Sequence, residues 1–191
     1  MTDELVNKIN AVQSIFDQLD RAIASFQNET SLHCQWGCGK CCFKPDIEAT
    51  VLEFLPFAHH LYQQGLAEAW LTKTSESDSA VCLILNPTQS GAGLCSQYAH
   101  RGLICRLFGY AARTNKYGEK ELVTCSIIKT EQVDQIEKAN EKIKLGLPVP
   151  VMHEYYMQLA SIDFDLSRDF FPINAAIRKA IEKVLSYYAY R

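Results

Sequence analysis

Four cysteines fall within nine residues, Cys34, Cys38, Cys41 and Cys42, in the spacing C-x3-C-x2-C-C. Core packing does not ask for that density, since a buried thiol acts as one more small apolar side chain. Deprotonated sulfur is instead a ligand for zinc, iron and iron-sulfur clusters. Four more thiols follow at Cys82, Cys95, Cys105 and Cys125, so the total of eight supplies two four-thiolate sites, or one site with spares. If the 34 to 42 run is even loosely helical, positions i, i+4, i+7 and i+8 project to one side and gather the sulfurs at little loop-closure cost. Adjacent Cys41 and Cys42 are the awkward pair. In extended backbone their side chains point apart, which assigns them to different metals or leaves one unused.

The further thiolates come from a second cluster, Cys95 and Cys105, with Cys125 downstream, and Arg101 and Arg106 stand close to both of the first two in sequence. A metal held by four thiolates is net negative, and nearby guanidinium groups and backbone N–H donors offset that charge. Arg101 and Arg106 suit that outer role or contact with an anion; each reads equally well as a surface arginine. His33 and His100 lie within five residues of a candidate ligand. The other histidines, His59, His60 and His153, read as solvated or core side chains, and no H-E-x-x-H pair is present. Cys82, between Val81 and Leu83, reads by itself as an inert core thiol.

These elements together resemble a known family. C-x3-C-x2-C-C, then Cys82-Leu83-Ile84-Leu85, then Cys95-x2-Tyr98-x2-Arg101-x3-Cys105-Arg106-x-Phe108 is similar to the YkgJ-type cysteine-cluster proteins, the CxxCxxCC family of zinc- or iron-chelating domains. The resemblance runs from about Cys34 to Cys125 and implies a metal centre that also takes Cys82 as a ligand. One departure is visible: the family's proline after its arginine is Gly102 here, a change that loosens the turn and removes no ligand. A fainter resemblance reaches flagellin lysine-N-methylases, which share the cysteine cluster and use S-adenosylmethionine.

Other chemistries fit less well. C-x3-C-x2-C is also the mark of radical S-adenosylmethionine enzymes, but those need a large barrel of alternating strands and helices, and Cys42 adds a fourth candidate ligand here. Zinc and iron-sulfur both accept four thiolates. Cys38-Gly39-Lys40-Cys41 resembles half of a zinc knuckle but has no second C-x2-C partner, and with the irregular spacing and surplus cysteine this tilts the expectation to an iron-sulfur cluster, zinc being a close rival. The expected function is metal chelation serving redox chemistry or metal handling. The alternatives are a metal-dependent enzyme of the N-methylase kind and a zinc ion used only to fold the domain. No Gly-rich nucleotide loop, P-loop or G-x-S-x-G elbow is present to name a reaction.

What must position these sulfurs is helical by pattern. Leu5, Ile9, Val12, Phe16, Leu19, Ile23 and Phe26 form one apolar stripe, ended at Asn28. Thr50 and Glu53 have capping-box spacing, and Pro56 either kinks the following helix or lies in its first turn. Gly65 stops that helix, Leu66 to Lys73 form another, and residues 74–79 are a polar connection. Val81 to Leu85 read as a short buried strand or extended segment, Asn86 to Gly93 as turns, and the residues around Tyr117-Gly118 as a small hairpin. Gly37 and Gly39 give the cysteine run an irregular wrap. Thr130 caps a helix ended by Gly146, Pro148-Val149-Pro150 is a rigid extended link, a helix spans Val151 to Ala160, and Asn174 caps the last. Tyr155, Tyr156, Tyr187 and Tyr188 read as core and surface packing.

The expected fold is therefore mostly α, with helices around a cysteine-rich metal-binding core and short strands or a small hairpin. One domain is expected: a helix over 1–30, the cysteine region over 31–128, and C-terminal helices over 129–191. At 191 residues the chain is long enough to bury roughly 70% of its unfolded surface without disulfide staples. No basic and apolar leader begins it, and clustered thiols are normal in a reducing compartment, so a cytoplasmic location is expected. A formal net charge of -3 speaks against a nucleic-acid partner, and no apolar run is long enough to span a membrane. The partners left are a metal ion or cluster and a small molecule or protein of unknown kind.

Overall fold

The computed structural model describes residues 4–34, 38–87 and 93–190. The wrap expected at Gly37, and residues 88–92 of the expected turn, lie outside them. The fold is mostly α with short antiparallel ladders, as the periodicity implies. The chain divides into two compact units, one drawn from Met1–Ser14, Gly37–Gly102 and Leu159–Arg191, the other from Ile15–Trp36 and Leu103–Gln158. The first helix, α1 (Glu4–Thr30), contributes residues to both. It outruns Asn28 by two residues and ends where Ser31 adopts φ 58°.

In the first unit, α2 (Leu55–Gln63) and α3 (Ala67–Glu76) pack against the long C-terminal helix α9 (Ile173–Ala189). On α9, Ile173, Ala176, Ile177, Ala180, Ile181 and Val184 recur at helical spacing and are fully buried. They meet a core that includes Phe54, Leu55, Phe57, Ala58 and Leu61, with Trp70 edge-on to Phe57 at 5.3 Å between ring centroids. Each of the buried Ile, Val, Leu and Phe side chains among them is worth about 1.5–3 kcal/mol of transfer free energy. Pro56 lies in the first turn of α2, where its missing N–H costs nothing, so the helix begins afresh there. Gly65, at φ 68°, stops it, while α3 runs three residues past Lys73 into the expected connection. A two-residue ladder, β1 (Glu48–Ala49) with β6 (Phe171–Pro172), ties the start of this unit to α9.

The capping box forms. Glu53 Oε1 accepts from the Thr50 amide at 2.7 Å and from the Thr50 hydroxyl at 3.1 Å, and Thr50 Oγ1 accepts from the Glu53 amide at 3.4 Å. Both residues are wholly buried. Gly102 lies directly on this box: a Cβ there would stand 2.8 Å from Glu53 Oε2 and 2.8 Å from Cζ of Phe54. Gly102 is therefore a close-approach position.

In the second unit, α5 (Ser126–Glu131) and α6 (Val133–Lys144) pack with the hairpin of β4 (Ala111–Thr114) and β5 (Lys120–Val123). The expected hairpin is present, paired Ala111 to Val123, with Gly118 at φ 81° in its tip. Asn115 Oδ1 holds that tip by accepting from the amides of Tyr117 and Glu119. Phe26, Leu32, Ala112, Ile128, Ala139, Ile143 and Val149 close a separate core.

Two caps differ from expectation. Thr130 sits in the last turn of α5, its hydroxyl donating to Ser126 and Ile127 carbonyls, and the long helix expected from it is broken at Gln132. Asn174 lies inside the first turn of α9, where its side chain bonds to a distant segment described below. Between the two helices of 152–162 and 164–167, α7 (Met152–Ile162) and α8 (Phe164–Ser167), Asp163 caps α8 by accepting from the Leu166 amide at 3.0 Å.

The buried contact at residue 102 gives a direct expectation. Gly102→Ala forces its new methyl group into Glu53 and Phe54 and destabilises the protein by about 1–3 kcal/mol, read from the urea midpoint. An unchanged midpoint would show that the capping box can yield.

Candidate metal centre

The cysteine run is turned by a glycine and a tight helical turn. Gly39 takes φ 55°, a left-handed conformation that favours glycine, and Lys40–Phe43 then form a single 3₁₀ turn closed by the Cys42 amide on the Gly39 carbonyl at 2.8 Å. The turn removes the difficulty of the adjacent pair. Sγ of Cys41 and Sγ of Cys42 lie 4.0 Å apart in a thiol–thiol hydrogen bond, with Cys41 exposed and Cys42 half-buried. Two thiolates on one tetrahedral ion with Zn–S bonds of about 2.3 Å are separated by about 3.8 Å, so the pair is spaced for a shared ion.

Electrostatics links this pair to two other thiols of the same unit. The hydrogen bond from Cys42 lowers the Cys41 thiol to about 6, and the Arg101 guanidinium adds to that effect. Burial pushes the Cys95 thiol up; Arg101 opposes the rise and the charge of Cys41 adds to it. Burial likewise raises the Cys82 thiol, with Cys95 contributing. Cys41 thus feels Cys42, Cys95 feels Cys41, and Cys82 feels Cys95, with Arg101 as the cation acting on Cys41 and Cys95. Arg101 is itself held by its Nε–H to the Tyr98 carbonyl at 3.1 Å and by stacking 3.6 Å over the Tyr98 ring.

Cys82 is buried and opens a turn, its carbonyl accepting from the Leu85 amide at 3.1 Å, where a short buried strand or extended segment is expected. Strand pairing begins only at Leu85, where β2 (Leu85–Pro87) pairs with β3 (Gly93–Cys95) in the register Leu85 to Cys95. The physical reason is that the preceding backbone bonds to helices. The Leu83 amide donates to Asn174 Oδ1 at 2.9 Å, Asn174 Nδ2 donates to the Ser79 and Val81 carbonyls at 2.8 and 2.9 Å, and Lys73 Nζ donates to the Leu83 carbonyl at 3.0 Å. Ser96 fastens the other strand, its amide and hydroxyl both donating to the Ile84 carbonyl.

The second unit holds Cys34, Cys105 and Cys125. Cys34 is exposed and follows His33, whose backbone is gripped at both ends by Gln132: the His33 amide donates to Oε1 at 3.1 Å and Nε2 donates to the His33 carbonyl at 2.6 Å. Cys105 lies on α4 (Leu103–Leu107), half-buried. Cys125 caps α5, its Sγ accepting from the Ile128 amide at 3.4 Å, and packs against that unit's core. Arg106 is buried, with its guanidinium paired to Asp20 and placed over the Phe16 ring at 4.6 Å. That pairing gives its charge a structural partner. Cys38 sits half-buried just before the Lys40–Phe43 turn.

Among the described residues, no three or more His, Cys, Asp or Glu side chains already stand as a metal-holding group. Of the histidines singled out by sequence, His33 Nδ1 lies 3.1 Å from the Ser31 carbonyl, and His100 stacks on His60 at 4.1 Å between ring centroids.

The family model described as "Putative zinc- or iron-chelating domain", CxxCxxCC, matches residues 33–141. This chain belongs to the CxxCxxCC family. No curated protein and no solved structure matches it. The CxxCxxCC match takes in all eight cysteines, both arginines and Gln132, and excludes Asn174. Gln132 and Asn174, which hold the backbone beside Cys34 and Cys82, are not marked out by the sequence pattern. A buried amide clamp leaves no spacing signal, since its partners are backbone groups of any residue type.

The lowered Cys41 thiol sets a pH dependence. In metal-free protein Cys41 is a thiolate above about pH 6, so its alkylation by iodoacetamide rises through that value and levels off by pH 7, ahead of Cys82 and Cys95. Peptide mapping after brief labelling reads the order, and first labelling at Cys82 would contradict it.

Proposed function

We propose that this chain is a metal-chelating protein in which Cys41 and Cys42 grip one tetrahedral zinc or iron ion, completed by Cys95 and Cys82. Cys38, Cys34, Cys105 and Cys125 are the further candidate ligands. The observation that carries this reading is the 4.0 Å separation of the Cys41 and Cys42 sulfurs. It supports two thiolates on one ion, or on one iron of a two-iron cluster, over a four-iron cluster in which four cysteines serve four irons. When bound, zinc supplies a redox-silent positive charge and iron a redox-active one. Arg101 offsets the negative charge of the assembled thiolates and favours their ionised forms.

Metal handling is the use best supported. Cys41 is exposed, which leaves an edge of the site open to ligand exchange with solvent or a partner. A purely structural zinc is less well supported, because each unit closes an apolar core of its own around residues such as Phe57 and Ile177, or Phe26 and Ile143. Proteins that need zinc to fold lack such a core.

Protein isolated without oxygen is expected to carry at least one zinc or iron ion per chain by elemental analysis. Cys41→Ser or Cys42→Ser weakens zinc binding by more than the roughly 10–100-fold that loss of an outer-sphere partner costs. Treatment with a chelator removes the metal and leaves the far-ultraviolet helical signal in place. Protein with neither metal would overturn the chelation reading, and unfolding on chelation would make the ion structural.

A further inference from the structure

We infer that Asn174, on the C-terminal helix, is a positioning residue for the metal centre: its side-chain amide fixes the turn that presents Cys82. The inference rests on the reading of Cys82 as a ligand. Residues 79–84 have no strand partner, so their backbone groups need partners from elsewhere. Asn174 takes three of them. Its Oδ1 accepts from the Leu83 amide, and its Nδ2 donates to the Val81 and Ser79 carbonyls, all within 2.9 Å. Val81 and Leu83 are the two residues that flank Cys82, so the backbone is held on either side of the sulfur-bearing residue.

An amide is the side chain that fits this task. It offers two donors and an acceptor in one plane, whereas a carboxylate has no donor and an ammonium no acceptor. The platform beneath it is stiff. Ile173, Ala176 and Ile177, the neighbours of Asn174 on α9, are 2% exposed or less, and Asn174 itself is 9% exposed. A ligand whose turn is anchored to a packed helix is preorganised, and outer partners of this kind commonly set metal affinity. Residue 174 lies beyond the 33–141 segment matched by the family model, so this control belongs to the chain's own C-terminal helix.

The test compares zinc affinity, measured on the full chain by competition with a chromophoric chelator, in two backgrounds. Asn174→Asp keeps the acceptor for Leu83 and loses both donors; Asn174→Ala loses all three bonds. Each is expected to bind zinc about 10–100-fold more weakly than the unaltered protein. In a Cys82→Ser background the same substitutions produce no further weakening, because Asn174 acts through Cys82. A second readout needs no metal: in metal-free Asn174→Asp protein, Cys82 is alkylated faster while Cys41 is alkylated at its usual rate. Equal weakening with and without Cys82, or unaltered affinity together with unaltered Cys82 alkylation, overturns the inference. Unaltered protein that binds no zinc or iron defeats instead the chelation reading beneath it.

Discussion

Backbone that leaves helix and strand must still find hydrogen-bond partners, and in this protein that requirement decides where the sulfurs sit. A peptide group buried without a partner costs as much as a lost hydrogen bond, so irregular cysteine-bearing segments are tied by side chains or close on their own carbonyls. Asn174 and Lys73 tie the turn containing Cys82. Gln132 ties the residue before Cys34, and Ser96 ties the strand that carries Cys95. The glycine-led turn at Lys40–Phe43 closes on its own carbonyls. Thiols distributed over some ninety residues of chain are thereby referred to helices whose own stability comes from apolar packing.

The division of labour is consistent with the charges involved. Bringing thiolates together is repulsive unless a cation compensates, and the cations are used unequally. Arg101 faces Cys41 and Cys95 and is steadied by Tyr98. Arg106, equally near to cysteine in sequence, is buried and paired with the half-exposed Asp20, so removing Asp20 would leave its charge unpaired in the interior. Sequence proximity to a ligand did not distinguish the two, because burial depends on which helix face a residue occupies.

Much of the architecture was readable in the residues, and the failures have identifiable physics. The apolar stripes of α1 and α9, the capping box at Thr50 and Glu53, the first-turn Pro56 and the hairpin around Gly118 are all local signals, and local signals survive folding. The long helix drawn through Gln132 breaks where the Gln132 side chain turns to grip the His33 backbone. Over 81–85 strand pairing begins only at Leu85, because Asn174 on α9 takes backbone groups on either side of Cys82. The adjacency of Cys41 and Cys42 looked unfavourable under extended geometry and becomes favourable once Gly39 turns the chain. Gly102, read from sequence only as a change in a turn, also lies at a close approach to Glu53 and Phe54 that spacing alone does not reveal.

The neighbouring pair has one further property. Consecutive Cα atoms across a trans peptide stand about 3.8 Å apart, short of the roughly 4.4–6.8 Å that an unstrained cystine spans. Cys41 and Cys42 are near enough to share a guest yet badly placed to bond to each other. Any covalent link between them would be strained and readily reduced, so under the proposed chelation the pair stays available as free thiols once its ion leaves.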